Sequence, residues 1–312
     1  MTTLRFVDYF AGIGGFTLGA QLAGHRTVMA INHAPVAVEY HQRNHPDVLH
    51  ACEDLCRYNP RKLLPHDGLL AGPSCQGHSN ARGVAAGSEA DAAWDDTRAT
   101  AWAVTDAIEI RKPKVVVVEN VLGFRRWPLF DLWFQAFARL GYGARLHLLD
   151  AADFGVPQNR PRVVITAVLD GEPGAIVPTT TVHRPIREVL DFEDGVWSLT
   201  HKKGRSPKTI ARVERGRKDV GRTFVMPYNG KGSGLTGRSI DRPIATITAA
   251  DRWALVDGDR MRMLTIRELQ AAMGFPAHYV LPPKREDATR CLGNAICPAM
   301  AKAAIESVAR VA

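Results

Sequence analysis

Short apolar segments alternate with amphipathic ones along the first half of the chain. The apolar segments are rich in β-branched and aromatic residues, as strands are, whereas the others repeat apolar residues with the period of a helix. The strand-like segments are residues 4–9, 27–31, 67–71, 114–119 and 162–167, and the helical ones are residues 15–22, 36–43, 102–111 and 129–140. This alternation predicts a doubly wound α/β domain.

The pattern changes after about residue 171, where Pro, Gly, Thr and Arg become frequent and helical periodicity fades. The β-like pieces there are short, at 223–226 and 244–248, and two helices are predicted near the end, at 265–273 and 299–311. We expect the last helix to pack on the first sheet. Residues 1–170 and 285–312 would then form one large domain, and residues 171–284 a smaller, irregular, β-containing domain.

Length and composition exclude several classes of protein. The 312 residues are 46% hydrophobic, which is enough for a sizeable core, yet no apolar run approaches the ~18 residues of a membrane span. No signal-peptide pattern is present at the start of the sequence. The five cysteines are too few for a disulfide scaffold, and their number is odd, so we expect a cytoplasmic protein. They are Cys52, Cys56, Cys75, Cys291 and Cys297.

Positive charge is concentrated in one segment. The chain has a net charge of +8, and residues 202–242 alone hold twelve basic residues against three acidic ones. A solvated basic loop is one interpretation. Interleaved aromatic residues and glycines, such as Phe224, Tyr228 and Gly230, favour a surface that follows a sugar–phosphate backbone. The candidate nucleic-acid contacts are Lys202, Lys203, Arg205, Arg212, Arg215, Arg217 and Arg222.

A glycine-rich stretch, FAGIGGF at residues 10–16, follows the first strand and opens the first helix. Glycines let a backbone approach a ligand, and the start of a helix offers free N–H groups. The spacing differs from the dinucleotide fingerprint G-x-G-x-x-G. A ligand loop and a tight structural turn both remain open for this stretch.

Cys75 comes four residues after the strand-like segment 67–71. In an open α/β sheet, ligands bind beyond the carboxyl ends of the strands, where a thiolate can act as a nucleophile. A buried, inert cysteine is the alternative. The glycine-rich, polar residues 77–96 are typical of a lid.

Two further groups of polar residues lie beside predicted strands. Glu119 directly follows the valines 115–118. A buried carboxylate is energetically costly there unless it has a function or a bonding partner. Its alternative role is a helix cap or a buried ion pair. Gln158, Arg160 and Arg162 alternate before the strand at 162–167, and in extended structure their side chains share one face.

In this order, the motifs resemble those of the C5-cytosine DNA methyltransferase family, over almost the whole chain. The FAGIGG loop resembles the family's S-adenosylmethionine (SAM) loop, and the Cys75-Gln76 pair resembles its nucleophile motif. Residues 119–121 (ENV) and 158–162 (QNRPR) resemble the next two motifs. Residues 242–247, 262–268, 274–276 and 292–295 resemble the later ones. The resemblance implies a Rossmann-like SAM domain and a small target-recognition domain.

The resemblance also implies roles for single residues. Cys75 would add to C6 of a cytosine flipped out of duplex DNA, while Glu119 holds or protonates N3. Arg162 would hold the cytosine O2, and Arg160 would order the site. Gln76 and Ser79 would steady their loop against DNA. No metal is expected, because His50, Cys52 and Cys56 lack a fourth ligand.

For the cofactor, the resemblance implies SAM, with S-adenosylhomocysteine as its product. The matching residues are Phe10, Gly12, Gly14, Gly15, Asp54, Leu55 and Asn294. Asn32 stands where the family usually has a ribose-binding Glu, and the next residue, His33, would stack on adenine. Ser74 replaces the usual Pro before the nucleophile, and His78 stands where Phe is common. These departures leave open a member that uses a modified SAM.

Two other functions remain open at this point, a tRNA cytosine-5 methyltransferase and a catalytically dead protein that binds SAM and DNA. Cys75, Glu119 and Arg162 together argue against the dead protein, since a binder needs none of them. The long basic, glycine-rich insert at 171–242 favours duplex DNA over tRNA, because such an insert can enter the major groove. We expect a monomer, and leave open whether a cognate restriction endonuclease accompanies it.

Overall fold

The computed structural model describes residues 2–73, 90–228, 237–250 and 252–311, with the backbone alone for residues 90–99. Two compact units make up the chain. Unit 1 comprises residues 1–150, 161–178 and 295–312, and unit 2 comprises residues 151–160 and 179–294. No helix in the described part of the chain is long and apolar enough to cross a membrane.

The strands and helices are numbered in chain order. The strands are β1 (Arg5–Tyr9), β2 (Arg26–Asn32), β3 (Leu49–Cys52), β4 (Gly68–Ala71), β5 (Val115–Val121), β6 (Tyr142–Asp150), β7 (Gln158–Asn159), β8 (Pro161–Leu169), β9 (Ser198–Leu199), β10 (Thr223–Pro227), β11 (Arg238–Ser239), β12 (Ile244–Ala245), β13 (Trp253–Asp257) and β14 (Arg260–Met263). The α-helices are α1 (Gly15–Leu22), α2 (Pro35–Asn44), α3 (Ala90–Arg111), α4 (Phe130–Arg139), α5 (Pro207–Asp219), α6 (Ile266–Ala272), α7 (Arg285–Asn294) and α8 (Pro298–Ala309).

Unit 1 is built on a seven-stranded sheet with the strand order β3-β2-β1-β4-β5-β8-β6. The first five strands in this order are parallel, as the doubly wound prediction requires. β8 runs antiparallel to both β5 and β6, so the sheet is mixed. The α/β fold predicted from the sequence is confirmed.

Helices cover both faces of this sheet. On one face, Val116 and Val118 of β5 belong to an apolar core that also holds the aromatic residues Trp133 and Phe137 of α4. On the other face, α8 packs against α1, β5 and β8. A Cβ atom on Gly19 of α1 would lie 2.5 Å from the Ala301 side chain, so this glycine lets the two helices approach closely.

Unit 2 contains a five-stranded antiparallel sheet with the order β11-β10-β13-β14-β9. Helix α5 packs on this sheet through Val213 and Gly216, and a Cβ atom on Gly216 would lie 2.4 Å from the Phe224 ring. This helix lies in the basic segment, where the sequence predicted none. Charged residues fill most of it, and they hide the apolar stripe.

The unit boundaries differ from the domain boundaries expected at 170/171 and 284/285. Residues 151–160 belong to unit 2, where β7 pairs with β12. Residues 285–294 belong there too, because α7 packs against α6. Unit 1 takes up only the last eighteen residues of the chain, which include α8.

A buried ion pair holds the start of α6 in unit 2. Arg262 donates two hydrogen bonds to the Glu268 carboxylate, at 2.7 and 2.8 Å, and both side chains are almost fully buried. The same carboxylate accepts the backbone N–H groups of Thr265 and Asp191. The Glu268 carboxylate therefore caps the start of α6, and it also holds the backbone at Asp191.

Replacing this buried arginine should destabilise the protein strongly. We expect Arg262→Ala to lower the free energy of unfolding by about 3–5 kcal/mol, because it leaves the Glu268 charge buried without its cation. Urea denaturation measures the change. The matched control is Arg290→Ala, which removes an exposed arginine paired with Asp287 and should change stability by less than ~1 kcal/mol. Equal effects in the two variants would contradict this interpretation of the buried pair.

Candidate active site

Several predicted site residues lie at one edge of the unit 1 sheet, where its parallel strands end. Phe10 follows β1, Asn32 ends β2, Pro73 follows β4, and Glu119 and Asn120 lie near the end of β5. The four strands are consecutive and parallel in the sheet, in the order β2-β1-β4-β5, so their carboxyl ends lie along the same edge. The Nδ2 of Asn120 donates a hydrogen bond of 3.1 Å to the Pro73 carbonyl oxygen, which ties the end of β4 to β5.

The predicted nucleophile and its neighbours lie outside the described residues. This applies to Cys75, Gln76 and Ser79, and to residues 77–89 of the expected lid. From Ala90 the backbone is helical, so residues 90–96, expected to belong to the lid, form the start of α3. The chain reaches this region from Pro73, which is buried beside Asn120.

Residues 10–15, called here the glycine loop, connect β1 to α1. Phe10, Gly12 and Gly14 have positive φ angles of 57°, 55° and 96°. Among the residues that the structure describes, a Cβ atom on Gly12 would meet only the Phe10 carbonyl oxygen, at 4.0 Å, so this part of the chain leaves space beside the loop. On its other side the loop is closely packed, since a Cβ atom on Gly15 would lie 2.3 Å from the Ile296 carbonyl oxygen. The loop therefore has one packed side and one accessible side.

The ends of β2 and β3 bring further predicted cofactor residues together. The Oδ1 of Asn32 accepts the Ala34 N–H at 2.9 Å, which leaves the amide nitrogen as the donor of that side chain. His33 is exposed, and the Cys52 thiol lies 3.7 Å from its carbonyl oxygen. Asp54 is exposed and accepts the backbone N–H of Cys56, whereas Leu55 is buried.

Glu119 and Arg162 form an ion pair between the antiparallel strands β5 and β8. The Arg162 Nε lies 2.7 Å from the Glu119 Oε1, and the two side chains are only 9% and 11% exposed. Arg162 also donates to the Pro161 carbonyl oxygen. The sequence singled out both residues for catalysis, but their pairing depends on the β5–β8 register, which no sequence signal reveals.

Arg160 and Gln158 lie in unit 2, where both are buried. The two terminal nitrogens of Arg160 donate to the carbonyl oxygens of Ile247 and Gly293, each at 2.7 Å. The Gln158 side chain accepts the Ile247 N–H and donates to the Ala272 carbonyl oxygen. These bonds join separate segments of unit 2, which is a structural use of both side chains.

Asn294 is the last residue of α7, in unit 2, and its side chain is exposed. The structure thus divides the predicted cofactor residues between the two units. Of the nine cofactor residues predicted from the sequence, eight lie in unit 1, around the ends of its parallel strands.

The predicted DNA contacts in unit 2 differ in the hydrogen bonds and ion pairs that their side chains form within the unit. Arg205 donates to Ser198 and Leu199, and Arg212 donates to the carbonyl oxygens of Pro227 and Tyr228. The others that bond within the unit are Arg217 to Gly258 and Glu214, Arg215 to Asp219, and Arg222 to Asp257.

Lys202 and Lys203 are different, because both side chains are exposed and bond to no residue that the structure describes. The Arg215 and Arg222 side chains are also mostly exposed, despite their ion pairs. The basic segment therefore combines arginines that stabilise the unit with cations that face solvent.

Comparison with known proteins adds independent findings. Residues 4–310 match the family model of the C-5 cytosine-specific DNA methylase. The Type II methyltransferase M1.HphI of Haemophilus parahaemolyticus is 28% identical over 99% of this chain and 87% of its own length. The Type II methyltransferase M.HhaI of the same species is 26% identical over 95% of this chain and 91% of its own length.

Solved structures share the fold. The Schizosaccharomyces pombe Dnmt2 methyltransferase superposes with a TM-score of 0.72 at 17% identity, covering 99% of both chains. The Entamoeba histolytica methyltransferase EhMeth gives a TM-score of 0.70 at 16% identity, covering 99% of this chain and 98% of its own. The family model spans nearly the whole sequence. The chain belongs to the family of C-5 cytosine-specific DNA methylases.

Proposed function

We propose that this protein transfers a methyl group from SAM to C5 of a flipped cytosine in duplex DNA, through a covalent bond between Cys75 and C6. The observation that carries the proposal is the Glu119–Arg162 pair. It places an acid and a cation at the end of β5, beside the end of β4, from which the chain leads to the Cys-Gln motif.

In the proposed reaction, the thiolate of Cys75 donates an electron pair to C6, and Glu119 holds a proton at N3 to receive the displaced electron density. Arg162 would hold the cytosine O2 while remaining bonded to Glu119, because a guanidinium has five donors. SAM, when bound, supplies the methyl group that C5 takes. Loss of the C5 proton and elimination of Cys75 then restore the aromatic ring.

The glycine loop fits the cofactor. A side chain at Gly12 would enter the space beside the loop, and no side chain in the described part of the protein caps the start of α1, whose N–H groups can meet a carboxylate. The residues that would hold SAM are Phe10, Gly12, Gly14, Gly15, Asn32, His33, Asp54, Leu55 and Asn294. Asn32 would offer its amide N–H to a ribose oxygen, without the charge of a carboxylate.

Unit 2 is proposed as the part that recognises the target sequence, because it holds the basic segment. Phosphate contacts release counterions, so each of them adds to the dependence of binding on salt. Cations that already bond within the unit contribute less to this effect than free ones. The exposed lysines at 202 and 203 are therefore the first candidates for phosphate contacts.

Removing these lysines should flatten the salt dependence of DNA binding. For Lys202→Ala/Lys203→Ala, the slope of log affinity against log salt should fall by about 0.9 for each phosphate that the two lysines neutralise in the wild-type complex. Fluorescence anisotropy of a labelled duplex at several salt concentrations measures the slope. Arg61→Ala/Lys62→Ala removes two adjacent exposed cations from unit 1 and is the matched control. An unchanged slope in the first variant would show that these lysines do not touch phosphate.

The function itself is tested by incubating the protein with methyl-labelled SAM and either duplex DNA or tRNA. We expect label in DNA, and bisulfite sequencing of DNA from expressing cells should place it at C5 of cytosine in one sequence context. Label in tRNA alone, or binding of SAM and DNA without transfer, would overturn the proposal. The same cells would show whether methylation protects DNA from a partner endonuclease. Light scattering should show a monomer, because the motifs of one chain complete one site.

A further inference from the structure

A chain of buried polar side chains lies beneath the glycine loop and has no role in the proposed mechanism. Thr17 of α1 donates a hydrogen bond of 2.8 Å to the Asp8 carboxylate of β1. His41 of α2 lies 3.2 Å from the Thr17 hydroxyl through Nε2, and 2.7 Å from the His50 Nε2 through Nδ1. We call the four residues Asp8, Thr17, His41 and His50 the Asp8 relay.

The relay runs from the fully buried Asp8 toward the partly exposed residue His50. Asp8, Thr17 and His41 are fully or almost fully buried, whereas His50 is half-exposed. Asp8 lies two residues before the glycine loop, and Thr17 lies two residues after it. The Asp8–Thr17 bond therefore closes the loop at its base and joins the strand that enters it to the helix that leaves it.

The hydrogen bonds of the relay can point in either direction, because each inner member both donates and accepts. With Asp8 ionised, His50 donates to His41, His41 to Thr17, and Thr17 to Asp8. The Nδ1 of His50, at the outer end of the relay, is itself buried. When it takes up one proton, a proton moves one place along each bond, and Asp8 becomes neutral. Every bond then runs the other way, and no imidazole carries a charge in either state.

The surroundings favour storing this proton on Asp8 rather than on the imidazoles. Burial raises the pKa of Asp8 to about 7, although the Thr17 hydrogen bond opposes the rise. Burial, followed by the neighbouring His45 and His50, holds the pKa of His41 well below its usual range. Burial likewise lowers the pKa of His45 to about 4 and lowers that of His50.

The other groups that face the relay do not supply a competing charge. In the sheet, Asp8 pairs with the apolar residues Ala30 and Leu70. The His45 ring lies 4.8 Å from the His41 ring, and its low pKa keeps it neutral near pH 7. Within the described part of the chain, the second oxygen of Asp8 has no hydrogen-bond partner.

We propose that the Asp8 relay positions the glycine loop and makes the affinity for SAM depend on pH, an inference that rests on the proposed assignment of this loop to the cofactor. Ionised Asp8 accepts a charge-assisted bond from Thr17, which fixes the base of the loop more firmly. SAM carries a net positive charge, so it binds more tightly above a buried anion than above a neutral acid. Thr17, His41 and His50 act here as positioning residues.

The sign of the effect follows from linkage. A cation that prefers the ionised acid lowers its pKa, so affinity for SAM rises as the pH passes upward through the midpoint of Asp8. We expect the dissociation constant to fall about threefold to tenfold between about pH 6 and pH 8. Asp8→Asn keeps the shape of the side chain and removes the titration, so its affinity should not change with pH in this range.

Calorimetric titration with SAM from about pH 5.5 to pH 8.5 tests the proposal, together with the ¹³C carboxyl signal of Asp8 in aspartate-labelled protein. Thr17→Val should raise the midpoint of Asp8 by about one pH unit, because the anion loses its donor. Thr17→Ser should restore the wild-type profile. His41→Asn should also shift the midpoint, and circular dichroism confirms that each variant is folded.

The matched control is His147→Asn, since His147 forms a similar hydrogen bond to Thr166 in the same unit without a link to Asp8. This variant should keep the wild-type pH profile. Wild-type affinity that is flat across the range, or a midpoint of Asp8 that Thr17→Val and His41→Asn leave in place, would overturn the relay. Absence of SAM binding at every pH would instead overturn the proposed cofactor site.

Discussion

Cys75→Ser should abolish methyl transfer, with a loss of at least ~10³-fold in rate, because a serine hydroxyl is a far weaker nucleophile than a thiolate at neutral pH. Affinity for SAM should stay close to that of the wild-type protein, since the residues proposed for SAM lie on other segments. Single-turnover transfer of labelled methyl to duplex DNA measures the rate. The variant should also fail to form a covalent complex with duplex that contains 5-fluorocytosine.

Cys291 serves as the control for this loss of activity. Burial raises the pKa of the Cys291 thiol to about 11, so it stays protonated and is a poor nucleophile. Cys291→Ser should therefore transfer methyl groups at the wild-type rate. Methyl transfer by Cys75→Ser at a rate within about tenfold of wild type would contradict covalent catalysis by this residue.

The sequence was most informative about the central strands of the unit 1 sheet. β1, β2, β4, β5 and β8 are largely buried on both faces, so their sequences are mostly apolar and can be recognised without a structure. β3 and β6 could not be predicted, because they are the two edge strands of the sheet and are half-exposed. Glycine, arginine and histidine within β6 obscure its period.

Unit 2 was less predictable for a related reason. Only three residues of α5 are buried, Thr209, Val213 and Gly216, so its charged residues dominate the pattern. The segment also supplies arginines that bond to backbone carbonyl oxygens of its own unit, as Arg205 and Arg212 do. The distribution of charge along the sequence located the basic segment, but it could not distinguish these structural arginines from the exposed lysines.

The residues of the candidate site could be named from motifs, whereas their contacts could not. The Asp8 relay shows this limit most clearly, since its members are spread over β1, α1, α2 and β3. Each of them resembles an ordinary polar residue in the sequence. Their connection depends on packing between elements that are distant along the chain, which only the folded structure provides.

The second large effect is expected for Glu119→Gln, which should reduce the rate of methyl transfer by about 10²–10⁴-fold. Glutamine has the same shape, and its side-chain oxygen can still accept the bond from Arg162, so the end of β5 should keep its structure. It has no carboxyl proton to hold at N3 of the base. The addition of Cys75 to C6 would then push electron density onto an unprotonated ring.

Single-turnover rates at saturating duplex and SAM, together with DNA affinity, separate this catalytic loss from a binding defect. The matched control is Glu172→Gln, because Glu172 forms an exposed ion pair with Arg145 in the same unit. It should transfer methyl groups at the wild-type rate. If Glu119→Gln does the same while Cys75→Ser is inactive, the proton at N3 must come from a different group, and Glu119 would serve only to orient Arg162.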